Sequence, residues 1–156
     1  MCMIFEDLIE TPIGQIIIRA DDTHILEVKF GSSDAIFSSP NAITEVCKEQ
    51  LQEYFSHKRT TFSIPLDPKG TDFQRSVWNT IQTIPFGKTD FYANIASRIK
   101  NPLAVRGVGG ALGKNPIVII IPCHRIIGKN KTLTGFTGGI DKKAWLLEHE
   151  NQDLSF

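Results

Sequence analysis

The sequence is poor in cysteine. Its 156 residues include three cysteines, Cys2, Cys47 and Cys123, which are widely spaced and contain no Cys-x-x-Cys pair. An odd number of distant cysteines argues against a disulfide framework and against a zinc knuckle. Cys2 or Cys47 could join His24 or His57 at a metal, but none of these residues has the close spacing of a ligand pair. No metal site is therefore expected.

Long hydrophobic runs are also absent. The most apolar run, residues 117–121, has five residues, whereas a membrane-spanning helix needs about 20. The N-terminal residues 1–7 carry acids where a secretory signal peptide carries bases. We therefore expect a cytoplasmic protein with no membrane partner.

Neither common nucleotide-binding motif is present. The glycine-rich segment 134–139 has neither the G-x-x-x-x-G-K-[ST] spacing of a P-loop nor the G-x-G-x-x-G fingerprint. Phosphate binding by this segment is a weak interpretation, and a mobile loop that forms one wall of a pocket fits better. No cofactor is expected.

The formal net charge is zero, but the charge is unevenly distributed. Residues 1–70 hold six bases and eleven acids, a balance of −5, and residues 71–156 hold eleven bases and six acids, a balance of +5. Between residues 86 and 131 there are eight bases and one acid. This asymmetry suggests that the C-terminal half faces a polyanion. The alternative is a solvated basic face without a partner.

The first 68 residues have the pattern of a small α/β domain. Residues 15–20 and 24–30 predict a β-hairpin with one buried face, and 62–66 predict another short strand. Asn41 is a candidate N-cap for a helix whose apolar residues recur at helical spacing through Phe55. Turn-forming residues cluster at 67–70, where the charge balance changes sign. We place the domain boundary there, giving a scaffold at 1–68 and a second domain at 69–156.

The second domain is predicted to be mostly helical, so the expected class is α+β. Thr71 or Asp72 can cap a helix, which ends at 84–87. Residues 92–99 and 103–112 predict two short helices joined by a tight turn at 100–102. Within a basic region, this is a helix-turn-helix pattern.

The second of these helices contains mostly small residues. Small side chains let a backbone approach another surface closely, so this face could lie against DNA with Arg106 as its one long projection. The alternative is tight packing against another helix. The small residues are Ala104, Gly107, Gly109, Gly110 and Ala111.

A reactive-residue candidate follows the run 117–121, which predicts a short buried strand or core segment ended by Pro122. Cys123 comes next, with His124 and Arg125. Their positive charges, and free N–H groups of a helical turn starting there, would favour the thiolate. A lone cysteine after such a run is more often a core residue whose burial raises its pKa. Further on, Asp141 is expected to cap an amphipathic helix at 142–150 that buries Trp145 and one neighbouring leucine.

Six segments of the sequence form a recognisable set when taken in order. They are TDFQRSVW at 71–78, IPFGKT at 84–89, RGVGGA at 106–111, NP at 115–116, IPCHRI at 121–126 and WLLEHE at 145–150. Together they resemble the O6-alkylguanine-DNA alkyltransferases, or methylated-DNA–protein-cysteine methyltransferases. The resemblance covers residues 71–150 in order and is looser over 11–66. It implies a ribonuclease-H-like N-terminal domain and a winged-helix-like C-terminal domain with a helix-turn-helix.

The resemblance implies irreversible, single-turnover transfer of an alkyl group from guanine O6 in DNA to Cys123 of the protein itself. His124 would act as the base through a water, and Glu150 would orient and stabilise it. Helical spacing alone does not prefer Glu150 over Glu148. By the same likeness, Asn115 would hold the turn and Tyr92 would donate a proton to the leaving guanine. The resemblance leaves open whether O4-alkylthymine is also a substrate.

The implied partner is double-stranded DNA containing O6-alkylguanine, bound through its minor groove with the damaged base flipped out. Arg106 would fill the vacated place in the stack. A monomer with no obligate protein partner is expected. The DNA contacts so assigned are Arg106, Tyr92, Ala104, Gly107, Gly110 and Arg125. The pocket residues so assigned are Ile126, Phe136, Thr137 and Gly138.

Two other functions are compatible with parts of the pattern. A protein that binds and flips alkylguanine without transfer would not need Cys123, His124 and Glu150, which this chain retains. A cysteine hydrolase would need a carbonyl substrate and turnover. The helix-turn-helix, the basic half and Arg106 argue against a hydrolase.

Overall fold

A computed structural model describes residues 3–129, 136 and 138–151. The chain forms two compact units. The first is Met1–Lys69 together with Pro116–Val118, and the second is Gly70–Asn115 together with Ile119–Phe156. The first unit thus includes a short piece of chain that the predicted boundary at residues 68 and 69 assigns to the second domain.

A three-stranded antiparallel sheet forms the first unit. Its strands are β1 (Phe5–Thr11), β2 (Gly14–Ala20) and β3 (Ile25–Phe30), with β2 in the centre. Leu8 faces Ile17 across the first pair, and Ile18 faces Val28 across the second. The sheet buries β-branched residues that suit a pleated, packed surface. They include Ile9, Ile16, Ile18 and Val28.

Helix α1 (Ala42–Phe55) packs on this sheet. Its N-terminus is a capping box in which the Asn41 side chain accepts from Thr44 N at 2.9 Å and Thr44 Oγ1 accepts from Asn41 N at 2.9 Å. Such reciprocal bonds satisfy backbone donors that the helix leaves free. The helix buries Leu51 and Tyr54, and the Asn41 cap was correctly predicted.

The second unit is mostly helical. Thr71 caps α2 (Asp72–Ile81) with Gln74 in a second capping box. Helix α3 (Tyr92–Arg98) and helix α4 (Val105–Gly113) form the predicted helix-turn-helix, and both contact α2. Helix α5 (Ile140–Glu150) follows. Two two-residue strands, β4 (Asp90–Phe91) and β5 (Ile126–Ile127), pair in parallel. The predicted α+β class is confirmed.

Several local predictions were wrong. Strand β1 was missed, and residues 62–66 form no strand, since only Leu66 makes an isolated bridge, to Ile25. The run 117–121 is buried but forms turns after a single bridge at Ile117, and Ile119 has a φ of 73°. Helix α4 begins two residues later than predicted. Helix α5 begins at Ile140 after Gly139 rather than being capped by Asp141.

Of the helices in the described ranges, none has the length and apolar character needed to cross a membrane.

Candidate active site

The candidate nucleophile lies at the start of a single 3₁₀ turn, Cys123–Arg125. Cys123 is only 4% exposed. The preceding loop is closed by Asn115, whose Nδ2 donates to Ile121 O at 2.8 Å. The Asn115 side chain also hydrogen-bonds the Cys123 thiol. Asn115 therefore fixes both the chain entering the turn and the sulfur, which agrees with its predicted position.

Glu150, at the end of α5, joins the two residues that follow the cysteine. Its Oε2 is 2.7 Å from His124 Nε2, and its Oε1 accepts from Arg125 Nε at 2.7 Å. Burial alone would raise the pKa of Glu150, but His124 and Arg125 outweigh it and hold the pKa well below the usual range. Glu148 is exposed. The geometry therefore selects Glu150, which helical spacing could not do.

The ionised carboxylate fixes the tautomer of His124. A carboxylate only accepts, so Nε2 must donate the hydrogen of this bond. In neutral imidazole, Nδ1 is then an acceptor. Among the described residues, His124 Nδ1 is the one buried side-chain nitrogen or oxygen without a hydrogen-bond partner. His124 therefore presents a proton-accepting atom inside the site.

Burial dominates the electrostatics of Cys123. It raises the pKa of the thiol to about 11, although the Asn115 hydrogen bond and the charge of Lys143 act in the opposite direction. The backbone N–H groups of Cys123 and His124 also lower the pKa of the thiol, as predicted for the free N–H groups of this turn, but burial outweighs them. The side chains of His124 and Arg125 are both bonded to Glu150.

The assignment of Arg125 as a DNA contact is also corrected. Arg125 is 6% exposed, and its guanidinium donates to both oxygens of Glu150 and, at 2.7 Å, to Ile84 O. It also lies over the ring of Phe86. Arg125 therefore links the turn Cys123–Arg125, called the nucleophile turn from here on, to α5 and to the 84–87 turn. Its guanidinium is not presented to a partner.

Tyr92 is brought to the site by the short parallel sheet. Asp90 pairs with Ile126 and Phe91 with Ile127, so α3 begins directly beside the segment that follows Cys123. Tyr92 is partly buried and lies near Gly109 of α4, where an added Cβ would be 3.9 Å from its ring. The sheet therefore places the start of α3, where Tyr92 lies, beside Ile126 and Ile127.

Helix α4 has one buried and one open face. Val108, Ala111 and Leu112 are buried, and Trp78 of α2 donates to Ala111 O at 2.8 Å. Arg106, Gly107 and Gly110 are exposed, and Ala104 is partly exposed.

The glycines of α4 differ from one another. A Cβ on Gly107 would meet the Phe73 ring at 3.0 Å, so Gly107 permits tight helix packing, as the alternative interpretation proposed. A Cβ on Gly110 would meet nothing within 4 Å. Packing within the described part of the protein therefore does not require a glycine at position 110.

The predicted pocket is only partly described. Ile126 is buried, Gly138 is partly exposed, and the Phe136 ring makes an edge contact with His124 at 6.5 Å between centroids. Phe136 O accepts from Gly139 N at 2.8 Å. Thr137 lies outside the described residues. Phe136 therefore forms one wall beside the imidazole.

Two contributors to the site were missed by sequence reasoning. The 84–87 turn supports Arg125 through Ile84 O, and Gly87 O accepts from Asn151 Nδ2 at 3.3 Å. Lys143 is fully buried and donates from Nζ to Ile126 O at 2.6 Å. Lys143 had a signal in the sequence, because it shares a helical face with Leu146, Leu147 and Glu150.

Within the described ranges, no three His, Cys, Asp or Glu side chains come together as a candidate metal site.

Two family models cover most of the chain. Residues 4–68 match the ribonuclease-like domain of 6-O-methylguanine DNA methyltransferase, and residues 72–152 match its DNA binding domain. The chain belongs to the 6-O-methylguanine DNA methyltransferase family. Membership confirms the predicted enzyme class, methylated-DNA–protein-cysteine methyltransferase.

Individual members of this methyltransferase family match over nearly the whole chain. The methylated-DNA–protein-cysteine methyltransferase of Methanosarcina mazei is 42% identical, with 94% of this chain and 97% of that protein covered. The constitutive enzyme of Bacillus subtilis is 41% identical, with 90% and 92% covered. A crystal structure of Mycobacterium tuberculosis OGT in complex with DNA has a TM-score of 0.87 and 39% identity, with 95% and 93% covered.

Proposed function

We propose that this protein repairs alkylated DNA by transferring a methyl or other alkyl group from guanine O6 to Sγ of Cys123, once per molecule. The observation that carries the proposal is the buried His124–Glu150 pair, 2.7 Å apart, beside a cysteine at the start of a turn. A nucleophile, its base and a carboxylate that orients the base are the groups this chemistry requires. Family membership supplies the substrate class.

The proposed proton path starts at the thiol. A water between Sγ and Nδ1 takes the thiol proton and passes one to Nδ1, while Glu150 stabilises the resulting imidazolium. The free acceptor at Nδ1 supports this route. The thiolate then attacks the alkyl carbon, the carbon–O6 bond breaks, and the guanine accepts a proton from the Tyr92 phenol. All atoms are accounted for without a cofactor.

Single turnover follows from the product. S-alkylcysteine is a thioether with a poor leaving group and no carbonyl for water to attack. No residue of the site can therefore regenerate the thiol, and each protein molecule acts once.

We propose that DNA is bound through the minor groove with the damaged nucleotide flipped out. The reacting oxygen lies inside a duplex, and extrusion costs roughly a few kcal/mol, less for a damaged base. Arg106 would occupy the vacated place in the stack. The open face at Ala104 and Gly110 supports a close approach of the DNA backbone. The flipped base would enter a pocket formed by Ile126, Phe136, Thr137 and Gly138.

The remaining assignments complete the proposal. Residues 1–68 act as a scaffold domain and residues 69–156 carry DNA binding and transfer. The protein acts in the cytoplasm as a monomer and needs no obligate protein partner.

A titration tests the proposal. The protein is incubated with excess duplex containing O6-methylguanine, and repaired guanine is measured against protein added. We expect repair to stop at one lesion per protein molecule. Binding without repair would indicate a lesion-binding protein, and repair beyond one per molecule would contradict single turnover. A parallel duplex with O4-methylthymine tests the second substrate.

A further inference from the structure

The turn between α3 and α4 has a lysine at a backbone position that favours glycine. Lys100 has a φ of 62°, which lies in the left-handed region. Its N–H donates to Ser97 O at 3.0 Å, and the N–H of Asn101 donates to Ala96 O at 2.9 Å. These two bonds form a Schellman motif, whose left-handed residue is usually glycine because a side chain is strained there. The fold alone therefore favours glycine at position 100.

The strain at Lys100 is not offset by a contact of its side chain within the described part of the protein. Lys100 is exposed, and its ammonium makes no hydrogen bond or ion pair with the residues that the structure describes. The neighbouring base behaves differently, since Arg98 donates to Thr83 Oγ1 at 2.7 Å. The charge of Lys100 is therefore available to a partner outside the protein.

The turn lies in a part of the chain whose charge has one sign. Between Asp90 and Asp141 the sequence contains no acid. The turn leads into α4, where Arg106 is exposed. Both helices lie within residues 72–152, which match the DNA binding domain of the family. A basic turn of a helix-turn-helix is suited to a phosphate backbone, because such contacts dominate the affinity for DNA.

We infer that Lys100 is a DNA phosphate contact: its ammonium binds the backbone of the duplex, and this contact explains a lysine where the fold favours glycine. The inference deepens the proposed function and rests on DNA binding by this domain, although it does not depend on alkyl transfer. The Schellman bonds fix the backbone of Lys100, so less freedom is lost when its side chain binds. A phosphate contact positions the duplex without reading its sequence.

A second Schellman motif in the same chain supplies matched controls. His57 follows α1 with a φ of 60°, and its N–H donates to Tyr54 O at 3.2 Å. The N–H of Lys58 donates to Glu53 O at 2.8 Å, and Lys58 is exposed. This motif lies in the segment that matches the ribonuclease-like domain. Lys58→Gln therefore removes an exposed lysine charge, and His57→Gly removes a left-handed side chain, both outside the helix-turn-helix.

The test measures binding of an undamaged, fluorescently labelled duplex by anisotropy over a range of salt concentrations. Lys100→Gln removes the charge and keeps a side chain on the left-handed backbone, whereas Lys100→Gly removes both. We expect both variants to bind about threefold to tenfold more weakly than wild type at about 0.1 M salt. The slope of log affinity against log salt should become shallower by about one. Lys58→Gln and His57→Gly should match wild type in affinity and in slope.

Melting temperatures separate the strain from the charge. Lys100→Gly should melt about 1–3 °C higher than Lys100→Gln, because the relief of the left-handed backbone exceeds the entropy that glycine adds to the unfolded chain. Higher stability combined with weaker DNA binding is the result that a purely structural role of Lys100 would not produce.

Unchanged affinity in Lys100→Gln, or an equal loss in Lys58→Gln, would overturn the inference and leave Lys100 as a solvated turn residue. A weaker affinity with an unchanged salt slope would contradict a phosphate contact. A lower melting temperature in Lys100→Gly than in Lys100→Gln would contradict the strain on which the inference is based. Because the duplex carries no lesion, this result is separate from the repair titration, and either can fail without the other.

Discussion

Cys123 combines deep burial with the proposed role of nucleophile, for which a thiolate is required. Burial raises the pKa of this thiol, so the neutral form is favoured in the resting protein. Burial also limits the access of electrophiles from solution to the sulfur. In the proposed reaction, proton removal by His124 would have to coincide with the approach of the alkyl group. Burial would then protect a residue that is used only once.

Glu150 is the first residue whose role can be tested by substitution. Glu150→Gln keeps the shape of the side chain but removes the charge between His124 and Arg125. Breaking a buried ion pair costs about 3–5 kcal/mol of folding free energy, and loss of an oriented base should slow transfer about 100-fold. Urea unfolding measures the loss of folding free energy, and a single-turnover repair assay measures the rate of transfer. Glu148→Gln, at an exposed position, should change neither, and an equal effect at both positions would contradict the assignment.

The same pair predicts how stability depends on pH. The pKa of Glu150 in the folded protein lies below its ordinary value of 4.5. A depressed carboxyl pKa contributes stability that is fully present above the unfolded value and lost as the pH falls toward the folded value. The difference in unfolding free energy between wild type and Glu150→Gln should therefore shrink below about pH 4.5. A difference that grows with acidity would show that the carboxylate does not stabilise the fold.

At the scale of elements, the sequence predicted best where a local signal decides the structure. Asn41 and Thr71 begin helices because each has its capping partner three residues later. Strand β1 was missed because its sequence FEDLIET carries three acids and no regular alternation. One of them, Glu6, is buried and bonded to Arg19 at 2.6 Å, a tertiary contact that no local pattern reveals.

The site shows the same limit. Cys123 and His124 were identified because they are adjacent and belong to a specific motif, whereas Asn115 was assigned by family likeness. The orientation of Arg125 could not be predicted, because it depends on the 84–87 turn and on α5, which are distant in the sequence. The isoleucine run shows a further ambiguity: five apolar residues indicate burial but do not distinguish a strand from buried turns.

The 84–87 turn offers a test of how elements support the site. Gly87 has a φ of 81°, and a Cβ there would lie 3.3 Å from Glu150 O. Gly87→Ala should cost about 1–2 kcal/mol of stability from the left-handed backbone and should also slow chloroacetamide alkylation of Cys123. Gly14→Ala is the matched control, since Gly14 has a φ of 115° with no atom near its Cβ. Gly14→Ala should lower the stability without changing the alkylation rate of Cys123. Similar alkylation rates in the two variants would contradict the idea that the 84–87 turn supports the site.

Helix α4 predicts a separation of stability from DNA binding. Gly110→Ala places a methyl group in open space, so the helix should gain about 0.5–1 kcal/mol. The same methyl group would crowd DNA lying on this face and should weaken duplex binding by about 1–3 kcal/mol. Thermal melting measures the change in stability, and fluorescence anisotropy measures the change in duplex affinity. Gly107→Ala should instead destabilise the protein, because its Cβ meets Phe73 at 3.0 Å. Unchanged DNA affinity in Gly110→Ala would remove this face from the interface.

For the whole molecule, the reaction product should be less stable than the reactant. A methyl group on Sγ enters a site where Cys123 is 4% exposed and bonded to Asn115. Adding a methylene to a packed interior typically costs about 1–3 kcal/mol. The melting temperature should fall after reaction with O6-methylguanine duplex and removal of the DNA. A melting temperature that is unchanged or raised would mean that the site accommodates the alkyl group without strain.

The uneven charge of the chain belongs to the same scale. The C-terminal part carries the excess of bases and also contains α4 and the nucleophile turn. A phosphate backbone bound by these bases would release counterions, so duplex affinity should fall as salt increases. The binding energy of these phosphate contacts would then help to offset the cost of base flipping in the proposed reaction.

The most direct test of the central claim is the mass of the Cys123 peptide after reaction. The protein is mixed with an equimolar duplex containing O6-methylguanine, digested and analysed by mass spectrometry, with Cys123→Ser as the control. We predict a mass increase of one methylene on the peptide containing Cys123, matched by an equal amount of restored guanine, and no change in the control. Restored guanine with an unmodified Cys123, or a methyl group on Cys47 instead, would contradict the account.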